Sequence, residues 1–582
     1  MNNKYYILAF AFSMLLSACS FLEPELDNTR DESILDEVAY FCGPLNEVYN
    51  NLPTSFDLEM DALTDNAVVR NFSGEYYRCG TGAISIHRNP LDIYTKGYKC
   101  IRSLNYFLSR MVIDESTSYQ TPIRFFTITS ETDLENNLKM FYRLKAEAYG
   151  LRAFWQYELI KNFAGEGTSG QMLGVPLVGD RILENGEGTD IPRASLDECV
   201  RAIVKDCETA LENGALPDNY TGTDVVFGNA FRNRISGAAV KSIKAKALLL
   251  AASPAYNKTN DPAKWEAAAL AAAEAIKAVG GVNAALSTRD EYYFTQVNVS
   301  DWKNNDVIFK AKPLTGNNSF ESSHYPERLY GSASLNVSQN LVDAFTDANG
   351  YPITAAGATY DPANPYANRD PRLALFVGTH GGTVGSYIVN IAEGGYDFYT
   401  PQNRSPRTGY YLKKCLRDKQ VSLDPNNSKG TVRANIIIGF PDMLLCYAEA
   451  ANEAWGVTAD PQGVGFTAKQ ALNVLLVRDG KNGNKYLNNV IGSNQEMFRD
   501  YVRLQRRIEL CFEGHYFYDL RRWYSADQDW ESKLNVPVYG IRLTDEGFEK
   551  VYLEDRRFQA PYMPIPYAEV VNAGLEQNNG WN

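Results

Sequence analysis

The sequence has few of the residues that most catalytic and metal sites require. It contains 4 His among 582 residues, and these stand singly at positions 87, 324, 380 and 515, with no HExxH motif. It also lacks a CxxC pair, a GxSxG nucleophile elbow and a GxxxxGK[ST] loop. The sequence therefore gives no support to a metal-dependent hydrolase, a thiolate zinc site or a nucleotide-binding loop.

A surplus of positive charge and a second long apolar run are also missing. Lys and Arg number 57 against 70 Asp and Glu, which gives a net charge of −13. That sign opposes binding to a polyanionic nucleic acid. Beyond the N-terminal segment, charge, Gly or Pro interrupts each apolar stretch well before the ~18 residues of a membrane-spanning helix. Neither a nucleic-acid-binding protein nor a multi-span membrane protein is predicted.

The N-terminus has the pattern of an export signal. Lys4 precedes an apolar run from Ile7 to Leu16, and the tetrapeptide Leu-Ser-Ala-Cys follows, ending at Cys19. Because the run is shorter than the ~20 residues that span a bilayer, residues 1–18 are predicted to be a cleaved signal peptide. The tetrapeptide resembles the bacterial lipobox, which implies that Cys19 carries a lipid. Ser20 follows it and resembles the sorting context for the outer membrane. Residues 19–30 are predicted to be an acidic tether.

Hydrophobic periodicity predicts a mainly α-helical protein. Alanine-rich helical patterns at 238–252 and 264–279, joined by Pro-containing turns, suggest degenerate helical hairpins of tetratricopeptide type. Residues 280–439 are richer in Gly, Pro, Asn and Tyr, which indicates a loop-rich subregion with a few short strands. We therefore expect an N-terminal helical region, 31–280, packed with a C-terminal region, 281–582. The other predicted helices cover 31–49, 94–111, 136–163, 195–213, 441–455, 467–478 and 494–522.

One charged cluster near the C-terminus invites a catalytic interpretation, with His515 as a base. On a continuous helix, however, Arg506 and Glu509 are three residues apart and Glu509 and Glu513 four apart, so these charges lie along one face and can belong to one ion-pair network. We interpret the cluster as a structural network that joins this helix to its neighbours. The cysteines at 446 and 511 lie in apolar helical patterns and are predicted to be buried free thiols.

Several segments, spread over most of the chain, together form one pattern. They are Arg143–Arg152 with Gly174–Leu177, Ser338–Phe345, Asp370–Leu373, Thr408–Lys413, Tyr447–Ala450, Arg507–Leu510, Glu513–Tyr516, Asp519–Trp523 and the tail from Pro564 to Trp581. Together these segments resemble the SusD/RagB family of outer-membrane glycan-binding lipoproteins. The resemblance implies a cell-surface subunit without catalytic activity that delivers oligosaccharides to a SusC-type TonB-dependent transporter.

Other functions stay open at this stage. Some relatives resembling this family capture peptides, and the Tyr, Asn and Arg of the loops suit backbone amides as well as hydroxyls. A two-carboxylate glycoside hydrolase requires only a suitably spaced pair of Asp or Glu, which sequence does not reveal. A structural adaptor without a ligand is a third alternative. No cofactor is expected, and a structural calcium stays open because the carboxylates match no compact calcium-loop spacing.

Sugar binding requires flat aromatic faces with a few hydrogen-bonding side chains, held on loops over a rigid scaffold. Two loop segments offer both, and we predict that at least one of their aromatic rings contacts a ligand. For any single ring, packing beneath the loop is the more frequent role. The candidate residues are Arg70, Asn71, Tyr76, Tyr77 and Arg78 in the first segment, and Tyr292, Trp302 and Tyr325 in the second.

Overall fold

The structure is a computed structural model that describes residues 38–53, 57–183, 187, 190–284, 286, 307–417, 419–433, 435–478 and 484–581. The predicted signal peptide and tether, with Cys19, lie outside these residues, as do the candidate binding residues Tyr292 and Trp302.

The described chain is mainly α-helical, as predicted. Tetratricopeptide-type pairing of the helices, and the division near residue 280, stay predictions. The helices are α1 (Val38–Phe41), α2 (Gly43–Asn50), α3 (Glu75–Arg78), α4 (Tyr94–Arg110), α5 (Glu131–Phe163), α6 (Leu196–Leu211), α7 (Gly237–Ala252), α8 (Pro262–Ala278), α9 (Ser319–His324), α10 (Gln339–Ala344), α11 (Pro371–Phe376), α12 (Phe440–Trp455), α13 (Ala468–Leu476), α14 (Gln495–Glu509), α15 (Tyr516–Tyr524), α16 (Trp530–Leu534) and α17 (Tyr567–Ala573).

The strands form small antiparallel sheets rather than one large sheet. The apolar runs at 307–309 and 436–438 are among the short strands expected in this region, and they pair with each other. The strands are β1 (Ala67–Val69), β2 (Gly165–Glu166), β3 (Met172–Pro176), β4 (Arg193–Ser195), β5 (Val307–Lys310), β6 (Leu314–Asn317), β7 (Leu335–Val337), β8 (Val377–Gly378), β9 (Thr383–Val384), β10 (Tyr387–Ile388), β11 (Tyr411–Leu412), β12 (Thr431–Arg433), β13 (Ile436–Gly439), β14 (Pro537–Thr544) and β15 (Gly547–Asp555).

Local capping explains where the long helices begin. Helix α5 starts five residues before the predicted position because the Ser130 hydroxyl accepts a hydrogen bond from the Asp133 amide. At α6 a capping box is present, with Ser195 and Glu198 each satisfying the other's backbone amide. Small alanine side chains let α8 pack closely against α7 and α12. Caps and spacing thus determine the helical scaffold.

The predicted single helix over 494–522 is wrong, because the chain leaves the helix between α14 and α15. Phe512 and Gly514 have φ values of +63° and +77°, in the left-handed region that an α-helix excludes. The Phe512 amide donates a hydrogen bond to the buried carboxylate of Asp61, which lies far away in sequence. Burial raises the pKa of Asp61 to about 6. A tertiary contact therefore breaks the helix.

Three buried hydrophobic cores support the described part of the fold. The largest lies among the helices and includes side chains from Phe41 to Leu575. The second lies beneath the loop-rich region, where Val69 of β1, Leu335 of β7 and Tyr411 of β11 pack together. Strand β1 pairs antiparallel with β7, with Ala67 opposite Val337. The loops that follow these strands therefore emerge from a rigid, buried base.

Candidate functional site

The first loop of the candidate site follows β1. The Arg70 amide donates to the Ser334 carbonyl at 2.8 Å, which extends the pairing of β1 with β7 by one residue. The Asn71 side chain then accepts hydrogen bonds from the amide and hydroxyl of Ser73 at 3.0 and 2.8 Å. This Asx turn leaves the ring of Phe72 52% exposed.

Fixed groups hold the Phe72 ring in place. The edge of Tyr77 lies against it, with ring centroids 5.1 Å apart and planes at 85°. The guanidinium of Arg407 lies 4.2 Å from the Phe72 centroid. Arg407 is itself buried, donates to the Val69 carbonyl at 2.9 Å and pairs with Glu554 at 2.8 Å. One side of Phe72 is therefore supported by protein while the rest faces solvent.

The second loop is the turn 326–331, which presents Tyr330. This residue has φ +65° and is 57% exposed, and the next amide, of Gly331, donates to the Pro326 carbonyl at 3.1 Å. A Cβ on Gly331 would lie 2.3 Å from the Tyr325 carbonyl oxygen. Only glycine fits there, so the tight turn that projects Tyr330 depends on it.

The third loop carries Tyr396, whose side chain is 69% exposed. The next residue, Asp397, is buried and accepts hydrogen bonds from the Tyr387 hydroxyl at 2.8 Å and the Tyr411 hydroxyl at 2.6 Å. The guanidinium of Arg328, from the second loop, stacks on the Tyr396 ring at 3.5 Å from its centroid. A buried anchor and a stacked cation thus fix the position of Tyr396.

The third loop contacts each of the other two, and this joins the three loops into a single surface. The Arg70 guanidinium donates to the Asn403 carbonyl. Arg404 Nε lies 3.9 Å from a carboxylate oxygen of Glu327. We call this surface the aromatic patch and define it by the exposed rings of Phe72, Tyr330 and Tyr396 with the guanidinium groups of Arg70, Arg328 and Arg404.

The first predicted segment lies in this region. Arg70 and Asn71 shape the first loop, and Arg78 is exposed at the end of α3. Tyr77 is half-buried against Phe72, so it supports the patch from below. Tyr76 is also half-buried, and its hydroxyl donates to Asp57.

One residue of the second predicted segment is placed in the interior. Tyr325 is 2% exposed and belongs to the second core, where its hydroxyl lies 3.5 Å from the Val421 carbonyl. Its ring therefore has no face available to a surface ligand in this structure. The exposed rings that sequence reasoning missed are Phe72, Tyr330 and Tyr396. A usable signal was an aromatic residue beside glycines, as at Tyr330-Gly331 and Gly394-Gly395-Tyr396.

The charged cluster near the C-terminus forms a buried ion-pair network. Arg506 pairs with Asp519 and Asp442 at 2.7 Å each, and it also contacts His515. Burial holds the pKa of His515 well below its usual range, so this imidazole is neutral at pH 7. The carboxylates here are engaged by cations, which agrees with the structural interpretation.

Spacing along one helix does not decide the ion pairs, because the cations that pair with Glu509 and Glu513 lie outside α14. Glu509 pairs with Arg372 at 3.0 Å, and Glu513 lies beyond the end of α14 and pairs with Lys414 at 2.7 Å.

A cavity of about 230 Å³ adjoins the network. Two cations that line it are paired within the protein, Lys161 with Glu158 and Lys246 with Asp442.

The described cysteines are free and buried. This confirms the prediction for Cys446 and Cys511, whose thiol pKa values burial raises to about 12. Within the described part of the chain, no helix is both long and apolar enough to cross a membrane.

Comparisons with known proteins agree with one another. The profile of the SusD family matches residues 294–581, and a profile described as starch-binding associating with outer membrane matches residues 20–229. No curated protein sequence gives a significant match.

Solved structures share the fold along nearly the whole chain. A SusD-like protein from Bacteroides fragilis is 22% identical with a TM-score of 0.70, covering 96% of this chain and 100% of its own. A SusD-like carbohydrate binding protein from the same species is 18% identical with a TM-score of 0.68, covering 94% and 100%. Surface glycan-binding protein A from Bacteroides fluxus is 16% identical with a TM-score of 0.58, covering 94% and 100%. With both family profiles and the fold in agreement, the chain belongs to the SusD/RagB family.

Proposed function

We propose that this protein is a cell-surface glycan-binding subunit that delivers oligosaccharides to a SusC-type TonB-dependent transporter. The observation that carries the proposal is the aromatic patch. Its three exposed rings come from three loops above the second hydrophobic core, with the third loop in contact with the other two. Contiguous exposed apolar patches on a protein surface mark binding sites more often than singly exposed residues do.

The chemistry of the patch suits a sugar. Aromatic faces receive the C–H groups of a pyranose ring, while guanidinium and amide groups donate hydrogen bonds to hydroxyl oxygens. Because Asp397, Arg328 and Arg407 hold the rings in place, little conformational entropy is lost when a ligand binds. Rigid loops over a buried base are therefore a favourable binding platform.

The comparisons support the same proposal at a coarser level. One matching profile describes starch binding and association with the outer membrane, and two matching structures are described as binding carbohydrate or glycan. We extend this to a lipid on Cys19, to a transporter partner and to a role without catalysis. Capture of peptides and hydrolysis of glycans are the alternatives that the following experiment separates.

The first experiment uses a soluble form beginning after Cys19, tested by affinity electrophoresis against plant, fungal and mucin glycans. Reducing ends are assayed in the same samples. We expect retardation by at least one glycan without release of reducing ends. Bond cleavage would overturn the non-catalytic role, and absence of retardation by every glycan would overturn glycan binding and direct the search to peptides.

Single substitutions then test the patch itself. We expect Phe72→Ala and Tyr396→Ala each to weaken binding about tenfold, as loss of a central aromatic contact does. Tyr142→Ala is the matched control, because Tyr142 is 50% exposed but lies on the scaffold helix α5. Equal effects of all three variants would argue against the patch as the binding surface.

The transporter partnership requires a separate test. Native full-length protein, extracted in mild detergent, is expected to co-purify with a large outer-membrane β-barrel. Recovery as a lone monomer under the same conditions would contradict the partnership while leaving glycan binding intact.

A further inference from the structure

The aromatic patch reverses the charge of the whole chain. The protein carries 13 more acidic than basic residues, yet the loop segments 70–78, 326–331 and 396–407 contain five arginines and three acids. Two of the acids are engaged within the protein. Asp397 is buried beneath tyrosine hydroxyls, and Glu75 pairs with Arg88 at 3.2 Å. Even without Arg407, which is buried against Glu554, a surplus of guanidinium groups faces solvent beside the exposed rings.

Arg328 is the group best placed to meet an anion. Its guanidinium lies over the ring of Tyr396, 3.5 Å from the centroid, which restricts its movement, while the side chain is exposed. Within the described residues it has no carboxylate within ion-pair distance and no hydrogen-bond acceptor. A planar, immobilised guanidinium with free N–H groups matches the two oxygens of a carboxylate or sulfate.

A second arginine lies on the neighbouring loop. Arg404 is exposed, and its ion pair with Glu327 is long, at 3.9 Å, with both side chains more than half exposed. Such a surface pair is weak and is readily exchanged for a ligand anion. Arg407, by contrast, is buried and neutralised by Glu554, so it supports Phe72 and is not available to a ligand.

We propose that the preferred ligand is an acidic glycan, bearing uronate carboxylates or sulfate groups, with Arg328 and Arg404 as the anion-binding side chains. This inference rests on the proposed function, since it assigns a ligand class to the same patch. The exposed rings then receive the sugar faces while the two guanidinium groups bind the charged substituents. A neutral glycan would leave Arg328 without an ionic partner.

The test uses pairs of polymers that share a backbone and differ in charge. Polygalacturonate is compared with its carboxyl-reduced form, and chondroitin sulfate with its desulfated form, by affinity electrophoresis of the soluble protein. We expect the charged member of at least one pair to bind about tenfold more tightly. The pair that responds distinguishes carboxylate from sulfate. Raising the salt from about 0.01 M to about 0.15 M should weaken that binding, because the Debye length falls from ~30 Å to ~8 Å.

Single substitutions test whether Arg328 causes the preference for the charged polymer. Arg328→Ala should lose about tenfold for the charged polymer, and Arg328→Lys less, because lysine keeps the charge but not the planar fork. Arg201→Ala is the matched control, an exposed arginine on helix α6 of the scaffold. Binding of neutral glycans with no preference for charge, or equal loss in the Arg201 and Arg328 variants, would overturn this inference and leave the proposed function standing. Failure of all polymers, neutral and charged, would overturn both.

Discussion

The pairing of Glu449 with Arg522 allows a quantitative prediction of stability. Glu449 is buried on α12 and accepts hydrogen bonds from both terminal nitrogens of Arg522 at 2.6 Å and from the Trp523 indole at 2.7 Å. Burial by itself would raise the pKa of this carboxyl, but the Arg522 charge outweighs it and lowers the pKa to about 2. Replacement by Gln removes the charge and keeps the shape.

The expected magnitude follows from the lowered pKa. A fall from 4.5 to about 2, at about 1.36 kcal/mol per pH unit, corresponds to about 3 kcal/mol of folding free energy at neutral pH. Because the folded pKa lies below the unfolded one, this stabilisation is complete above pH 4.5 and is lost as the pH falls towards 2. Glu449→Gln should therefore be about 3 kcal/mol less stable at pH 7, and the difference should shrink as the pH falls.

Urea unfolding followed by tryptophan fluorescence, at a series of pH values from about 7 to about 3, measures this difference. Glu135→Gln is the control, because Glu135 is exposed and its pair with Lys139 is 3.5 Å long on the surface of α5. That control should change the free energy of unfolding by less than about 0.5 kcal/mol. A Glu449→Gln variant as stable as the wild type at pH 7, or a difference that stays constant with pH, would refute the reasoning.

Three further predictions concern the patch and the anchor. Asp397→Asn replaces the carboxylate that anchors the Tyr396 loop with an amide, which is a weaker hydrogen-bond acceptor. We expect glycan binding to weaken about threefold or more, with little change in the midpoint of urea unfolding. Unchanged affinity would contradict this prediction. Gly331→Ala should lower both the melting temperature and the affinity for glycan, because the added Cβ clashes with the Tyr325 carbonyl oxygen. A variant with the wild-type melting temperature and affinity would show that the turn tolerates a side chain. Cys19→Ser in the full-length protein should shift it from the membrane fraction to the soluble fraction, and retention in the membrane would oppose the lipid anchor.

The helical scaffold could be read from local signals. The Ser195 and Glu198 capping box, the apolar stripe of α5 and the alanine-rich pair α7 and α8 all depend on residues within a few positions of one another. The helix break at Phe512 could not be predicted in this way, because its cause is a hydrogen bond to Asp61, more than 400 residues away. Local periodicity alone predicts a continuous helix there.

For the candidate site too, some features follow from the sequence and others from the tertiary structure. Sequence determined that the protein is mainly helical, belongs to the SusD/RagB family and carries aromatic and arginine side chains on loops. Which rings reach solvent was decided by tertiary structure, since Tyr325 enters the second core while Tyr330, five residues later, is projected by a left-handed turn. Exposure depends on the packing of distant segments, and stacking of Arg328 on Tyr396 brings together two loops far apart in the chain. Residue type is a property of the sequence, but accessibility and charge pairing are properties of the folded whole.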